Sequence, residues 1–390
     1  MAVSKVGVMK IGQNFKNTTI HILSTLLILT SFNSFSTASA ITYPAGDWQV
    51  STPEEQGMES RILAEMMDYI QKYNFNIDSI FIVRNGFEVF DACFWPFSKG
   101  QKHNIYSCTK SIMSALIGIA IHKGYIQNVN QPIVDFFPDE VFDNENNQKK
   151  SITLENLLMM ASGLKCRDSY LYRWQGLFEM RYSPDWAQYV LDLPMADPPG
   201  ETFEYCNGVS YLLSVIIQNT TKMRTLDFAK KYLFEPLGIY EIAWANSPQG
   251  VDVGYGEMWL TPHDMAKFGW LYLTMGRWEN HQIVPSAWVE ISTRGHIPAR
   301  LFDHYGYQWW ADSAGYYMAV GYKGQRIFVV PEKNMVVVFT ADLTGRESFT
   351  PKKLLDYYII PAASSSNLLP SDTQEKARLD ALIDSVSKEI

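Results

Sequence analysis

Residues Asn104 to Gly124 read NIYSCTKSIMSALIGIAIHKG. From Ser107 to Ile121 nearly every residue is apolar or small, and Lys110 is the exception. A helix of this composition is buried on most sides. Its lysine therefore snorkels to the surface, pairs with a buried carboxylate, or sits inside and gives up its charge. Ser107 precedes it by three residues, and Ser-x-x-Lys on a helix puts hydroxyl and amine on one face, one turn apart. Burial destabilises the ammonium form and lowers its pKa. A neutral amine beside a serine can take its proton, and serine is otherwise a weak nucleophile. Near a helix start, free N–H groups and the dipole favour negative charge. The oxyanion of a carbonyl attacked by Ser107 would then lie near the Ser107 N–H.

The spacing alone is weak, because it occurs three times: Ser107–Lys110, Ser162–Lys165 and Ser385–Lys388. Ser162 lies at an expected helix end beside Gly163, where a solvated lysine is ordinary. Ser385 lies on the polar side of a C-terminal amphipathic helix. Only the first has its lysine in an apolar helix. A second signal is Tyr205-Cys206-Asn207, which follows the turn residues Pro198, Pro199 and Gly200 and precedes an apolar helix. Tyr205 and Asn207 can both face a cleft. A tyrosine with a depressed pKa could serve as base or relay a proton to a leaving group, and Asn207 can position Lys110 or a substrate carbonyl. An aromatic packing residue followed by a helix-cap asparagine explains the same three residues.

The 390-residue chain is 47% hydrophobic, 14% aromatic and 19% charged, a globular composition. Lys5, Lys10 and Lys16 precede an apolar run, Ile20 to Phe32, which ends in FSTASA with the small-x-small pattern Ala38-Ser39-Ala40. Residues 1–40 read as a secretory signal peptide, with an uncleaved anchor as the alternative. The run is short for a membrane span, so the mature chain is expected to have none and to be periplasmic or secreted. Removing residues 1–40 takes the formal charge from −8 to −11, because it removes three lysines and no acids. Such an acidic chain is a poor nucleic-acid or anionic-membrane binder. Cys93, Cys108, Cys166 and Cys206 are too few for a disulfide framework. The sequence contains no CxxC or HExxH, so neither a metal site nor a cofactor is expected.

Around this centre the pattern is mixed. SRILAEMMDYIQK has helical spacing from Ser60, with Ile62, Leu63, Met66, Met67 and Ile70 on one face. Two strands flank Arg84-Asn85-Gly86, and Asn-Gly predicts a hairpin turn. SITLENLLMMASGL predicts a helix capped by Ser151 or Thr153 and stopped by Gly163. Residues 166–204 look like a long structured loop. Thr261 caps a helix with Pro262 in its first turn. Four short strands follow, from YGYQWWAD to NMVVVFTAD, then the helix KKLLDYYIIPA, a linker SSSN, and a last helix opened by a Ser371…Gln374 capping box. The expected fold class is α+β. Residues 41–106 and 246–362 form an antiparallel sheet with flanking helices, 107–245 a mostly helical insert, and 363–390 a linker and C-terminal helix.

These motifs, in this order, resemble the penicillin-recognising serine hydrolases: class C β-lactamases, DD-peptidases, and their esterase and 6-aminohexanoate-dimer hydrolase relatives. SCTK, DPPGETFEYCN, LTPHDMAKFGWLYLTMGRW and GYKGQRIFVVPEKNMVVVFTAD carry the resemblance, which spans about residues 45–360. It implies Ser107 as acylated nucleophile, Lys110 as its activator, Tyr205 as proton relay and Asn207 as a polar orienting group. The family's third motif, Lys/His-Thr/Ser-Gly, falls on Tyr322-Lys323-Gly324. Gln325 would supply a second oxyanion N–H, and Gly324 would let substrate approach closely. Tyr322 replaces the cation that usually holds a substrate carboxylate, and strand alternation would send Lys323 to the opposite face. The resemblance therefore points to an ester, amide or peptide substrate and an acyl-enzyme mechanism. A true β-lactamase or DD-peptidase, or a non-catalytic binding or sensor protein, are the alternatives. Cys108 and Cys206 are expected as small buried hydrophobes, and His263 as a surface residue. Tyr170, Tyr172, Trp174, Trp309 and Trp310 are candidates for an aromatic acyl-pocket wall.

Overall fold

Asn85 and Gly86 both take positive φ, 54° and 87°. That backbone makes a two-residue hairpin turn whose twist matches its strands. The turn joins two strands of a nine-stranded sheet: β1 (Gln49–Val50), β2 (Ile77–Arg84), β3 (Phe87–Cys93), β4 (Ile297–Pro298), β5 (His304–Tyr305), β6 (Trp310–Ala311), β7 (Tyr317–Val320), β8 (Arg326–Val330) and β9 (Met335–Ala341). This computed structural model describes residues 43–44, 46–140, 142–143, 146–168 and 174–389. The signal peptide expected at 1–40, and Tyr170 and Tyr172, lie outside the described residues.

The spatial order is β1-β3-β2-β9-β8-β7-β6-β5-β4. The two ends of the chain meet at β2 and β9, which pair antiparallel with Ile82 opposite Val337. All residues of both strands are buried, so these strands read as apolar runs rather than alternating ones. The sheet is antiparallel except at one edge, where β1 pairs with β3 in parallel, Gln49 opposite Phe87.

Among the described residues, five long helices complete the frame: α1 (Ser60–Tyr73), α2 (Thr109–His122), α3 (Asn207–Thr221), α4 (Pro262–Leu273) and α5 (Thr373–Val386). On α1 the buried face is Leu63, Ala64, Met66, Met67 and Ile70, with Ile62 left half-exposed at its margin. In α4, Thr261 accepts the Asp264 N–H at 3.1 Å. α4 lies on β2, β8 and β9. A Cβ on Gly269 would come within 2.6 Å of Val336, so only glycine permits this approach. α5 packs on α1 and β3, and its cap is Asp372, one residue later than expected.

The helix expected to run to Gly163 stops at Leu158. Thr153 and Asn156 form its capping box. Met160 then takes φ +55°, and the chain turns so that Ala161 and Gly163 carbonyls accept N–H groups from Gly200 and Ala196. Tertiary hydrogen bonds here override an apolar run of helical character. The 166–204 stretch contains short helices at Gln175–Tyr182 and Trp186–Leu191. α2 packs against α3, and their N-terminal ends come together beside the turn between β7 and β8.

Candidate active site

Ser107 sits in a tight helical turn, Tyr106–Cys108, immediately before α2. Tyr106 has φ +45°, a conformation that is uncommon for a bulky residue and costs of order 1 kcal/mol or more. Its surroundings hold it there: its N–H donates to Asn104 Oδ1 at 2.9 Å, and its carbonyl accepts the Thr109 hydroxyl at 2.7 Å.

Lys110 does not snorkel. It is 2% exposed. Its Nζ lies 3.1 Å from Ser107 Oγ, 2.7 Å from Asn207 Oδ1 and 2.8 Å from the Tyr255 carbonyl oxygen. The Tyr205 ring centroid is 4.9 Å away. None of these hydrogen-bond partners carries a charge. Burial pulls the amine down to about 7, against the opposing charge of the Asp168 carboxylate. At 1.36 kcal/mol per tenfold change in proton affinity, the setting as a whole disfavours the ammonium by on the order of 5 kcal/mol.

The Tyr205 phenol behaves oppositely to the depressed value considered from sequence. Burial raises its pKa well above that of an ordinary phenol, partly countered by the Ser107 hydroxyl as hydrogen-bond partner. The phenol therefore keeps its proton at neutral pH, and the amine is the group able to accept one. Tyr205 stacks on Trp310 with ring centroids 6.2 Å apart and meets the edge of Trp174 at 6.4 Å. Trp309, by contrast, is buried against Phe268 and Tyr272 in the core.

Asn207 opens α3, and its backbone N–H donates to Asp168 Oδ2 at 2.7 Å. Asp168 is 2% exposed. Burial pushes its carboxyl up to about 6, against the pull of that N–H. Sequence reasoning passed over Asp168, because it lies in an aperiodic stretch and touches the serine–lysine pair only through Asn207. Tyr255 also went unnoticed, because it contributes a backbone carbonyl that no side-chain pattern announces.

Cys206 is not a lone buried hydrophobe. It forms a disulfide with Cys166, with Cα atoms 5.6 Å apart. The bridge ties the Asp168 segment to Tyr205 and Asn207, the residues on either side of Cys206. Cys108 does remain a free buried thiol, pushed up to about 12 by burial. Its Sγ rests 3.6 Å from the Gln325 carbonyl oxygen and so places the third motif beside the serine turn.

That motif is a tight turn between β7 and β8 rather than part of a strand. Gly324 has φ +98°, and a Cβ there would press on Leu343 and Ala341 at 3.1–3.2 Å. Backbone conformation and internal packing therefore demand this glycine. Lys323 points away to pair with Asp342 at 2.9 Å. Tyr322 is 48% exposed, and its ring meets the edge of Tyr106 at 5.6 Å. The Gln325 side chain is anchored to the Ala341 backbone. Its own N–H reaches the Tyr322 carbonyl only at 3.5 Å, a length that leaves the donor available. His263 is elsewhere and is not a free surface residue. It is partly buried at the start of α4, 3.4 Å from Asp91, where Lys99 also pairs at 2.6 Å.

A serine and a buried lysine of lowered proton affinity one turn apart, beneath a tyrosine and asparagine and at the edge of a helix-flanked sheet, define the class of fold and site to which this molecule belongs. Residues 60–357 match the model of the Beta-lactamase family, and the chain belongs to that family. It is 24% identical to the 6-aminohexanoate-dimer hydrolase of Paenarthrobacter ureafaciens, over 74% of this chain and 79% of the relative. Among solved structures it is similar to a penicillin binding protein from Bacillus halodurans (TM-score 0.58, 17% identity, 75% of this chain and 99% of that one). It is also similar to EstCE1, a hydrolase with promiscuous acyltransferase activity (TM-score 0.63, 13% identity, 78% and 99%). Those two likenesses concern the fold. The family and the curated relative together support a hydrolase.

Proposed function

We propose that this protein is a serine hydrolase that cleaves an ester or amide bond through an acyl-enzyme on Ser107. The observation that carries the reading is the 3.1 Å contact between Ser107 Oγ and the Nζ of a buried lysine with uncharged hydrogen-bond partners. In the first step Lys110 takes the hydroxyl proton while Oγ bonds to the substrate carbonyl carbon. The oxyanion is received by the N–H groups of Ser107 and Gln325. The Tyr205 phenol, which keeps its proton, passes one to the leaving alcohol or amine and is replenished from Lys110. Water then attacks the acyl-enzyme as Lys110 takes its proton; the bond from the acyl carbon to Oγ breaks, Lys110 returns the proton to Ser107 Oγ, and the acid leaves. Asn207 orients Lys110 throughout.

The substrate reading follows from the third motif. Lys323 is engaged with Asp342, so the turn offers a phenol at the rim where β-lactam-handling relatives place a cation. This favours a neutral ester or linear amide over a β-lactam or D-Ala-D-Ala peptide. The name of the curated relative, a 6-aminohexanoate-dimer hydrolase, puts linear amides in the same panel. Export, proposed from the first forty residues, is supported by the Cys166–Cys206 disulfide, a bond that persists in oxidising compartments.

The test is labelling with a fluorophosphonate and hydrolysis of a p-nitrophenyl ester and a linear amide, comparing wild type with Ser107→Ala. Labelling and turnover should both vanish in the variant. The wild-type kcat/KM should be high above the Lys110 value and fall about tenfold per pH unit below about 7, because protonation removes the base. Labelling that survives Ser107→Ala, or a wild type inert to every substrate, returns the protein to the ligand-binding alternative.

A further inference from the structure

We propose that Asp168 is a positioning residue of this site, holding Asn207 against Lys110 and presenting to that lysine a buried negative charge close to it. The inference rests on the serine hydrolase reading above and adds to it a residue outside the three sequence motifs.

The geometry is a relay of two short hydrogen bonds. Asp168 Oδ2 accepts the Asn207 N–H at 2.7 Å, and Asn207 Oδ1 accepts from Lys110 Nζ at 2.7 Å. The Cys166–Cys206 bridge fixes the segment that carries Asp168 to the strand of chain that carries Tyr205 and Asn207. A carboxylate at a helix N-terminus is also a plain cap, and a capping role alone would affect only stability. The difference lies in what faces Asp168. Around Lys110 and Asp168 stand Cys108, Tyr205, Tyr255 and Tyr189, and burial raises all four. They stay neutral in the working range. The nearby arginines are already paired, Arg167 with Glu179 and Arg181 with Glu257, both at 3.3 Å. Burial moves Lys110 down to about 7 and Asp168 up to about 6, and each charge favours the charged form of the other.

The sign follows directly. A carboxylate stabilises the ammonium form of a neighbour and raises its pKa. Asp168 is the leading group that raises Lys110 against burial. Replacing it with a neutral acceptor lowers the amine further and moves the acid limb of activity to lower pH.

The experiment measures kcat/KM against pH for wild type, Asp168→Asn and Asp168→Glu, together with thermal melting. In Asp168→Asn the acid limb should move down by about one pH unit, and in Asp168→Glu it should stay near the wild-type position. An Asp168→Asn limb that superposes on wild type, with only melting temperature or amplitude reduced, overturns the proposal and leaves a helix cap. If that variant does not fold, Lys110→Met reads the same coupling from the other side. Loss of the amine should raise the pH at which a buried carboxyl band titrates in infrared difference spectra, and an unchanged carboxyl titration overturns the proposal. This second measurement needs no turnover. It therefore separates failure of the Asp168 inference from failure of the hydrolase reading, which an inactive wild type would signal.

Discussion

Lys110 and Lys149 are both buried, 2% and 1% exposed, and both are held on backbone or amide oxygens. Lys149 Nζ donates to the Asp143 and Leu191 carbonyls, each at 2.6 Å. Burial lowers the proton affinity of both amines. Yet their settings differ. Around Lys149 the carboxylates of Asp192 and Asp143 oppose the effect of burial, and its two hydrogen bonds tie a loop to the end of a helix. Lys110 has a serine hydroxyl at 3.1 Å and an aromatic ring at 4.9 Å. The contrast teaches that a depressed lysine is not a site in itself. A nucleophile within hydrogen-bond reach converts the same desolvation into a base.

The sharpest break of this comparison is to replace both lysines with methionine. Lys110→Met should lower kcat about a thousandfold, within the range expected for loss of a positioned base, while the protein still folds. Lys149→Met should leave kcat within a few-fold and destabilise the fold. It strands the buried Leu191 carbonyl, which costs about 1–3 kcal/mol, and frees the more exposed Asp143 carbonyl to water. Ester turnover and urea unfolding on the two variants decide the matter. Equal losses of activity would mean that the Lys110 setting is not special.

The comparison also marks what could be read in advance. Ser107, Lys110, Tyr205 and Asn207 announced themselves because a lysine in an apolar helix and a Tyr-x-Asn after a Pro-Gly turn break local patterns. The hairpin at Asn85-Gly86 and the Thr261 cap were legible for the same reason, since short-range chemistry determines them. Asp168 and Tyr255 were not, because their roles come from contacts across 39 and 145 residues of chain. The disulfide was hidden likewise. Four cysteines at irregular spacing fix no pairing, and Cys206 beside two polar site residues looked like filler. The helix expected through Gly163 failed because the carbonyls of residues 161 and 163 are used by Gly200 and Ala196.

A second, smaller effect sharpens the contrast through the covalent bridge that the Lys110 region possesses. Cys166 and Cys206 are 40 residues apart. Closing such a loop removes unfolded-state entropy worth about 4 kcal/mol in the chain-entropy account. A Cys166→Ser and Cys206→Ser double variant should lose stability of that order. It should also lose turnover roughly tenfold, because the Asp168 segment is released from Asn207. Lys149 lies outside this loop and its partner Leu191 lies inside it but well away from both cysteines, so its bonds should be disturbed least. Hydrogen exchange should therefore rise around residues 166–168 and 205–209 while 147–152 stays protected. Uniform loosening of both regions would contradict the separation drawn here.

The smallest expected effect lies at the rim. Tyr322 is half-exposed and touches the site through the edge of Tyr106, the residue whose left-handed backbone precedes Ser107. Its ring packs on that turn, and in the function proposed above its hydroxyl meets the substrate at the rim. Tyr322→Phe keeps the packing and removes one hydrogen bond, which is worth about 0.5–1.5 kcal/mol. A contact made equally in ground and transition states changes KM and leaves kcat alone. The variant should therefore raise KM by about two- to tenfold for ester and linear-amide substrates, with kcat within twofold. Tyr322→Ala should add a fall in kcat, because Tyr106 loses its neighbour. A Phe variant that lowers kcat and leaves KM unchanged would instead place the Tyr322 hydroxyl in the reacting centre alongside Tyr205, and the rim would have to be redrawn as part of the proton path.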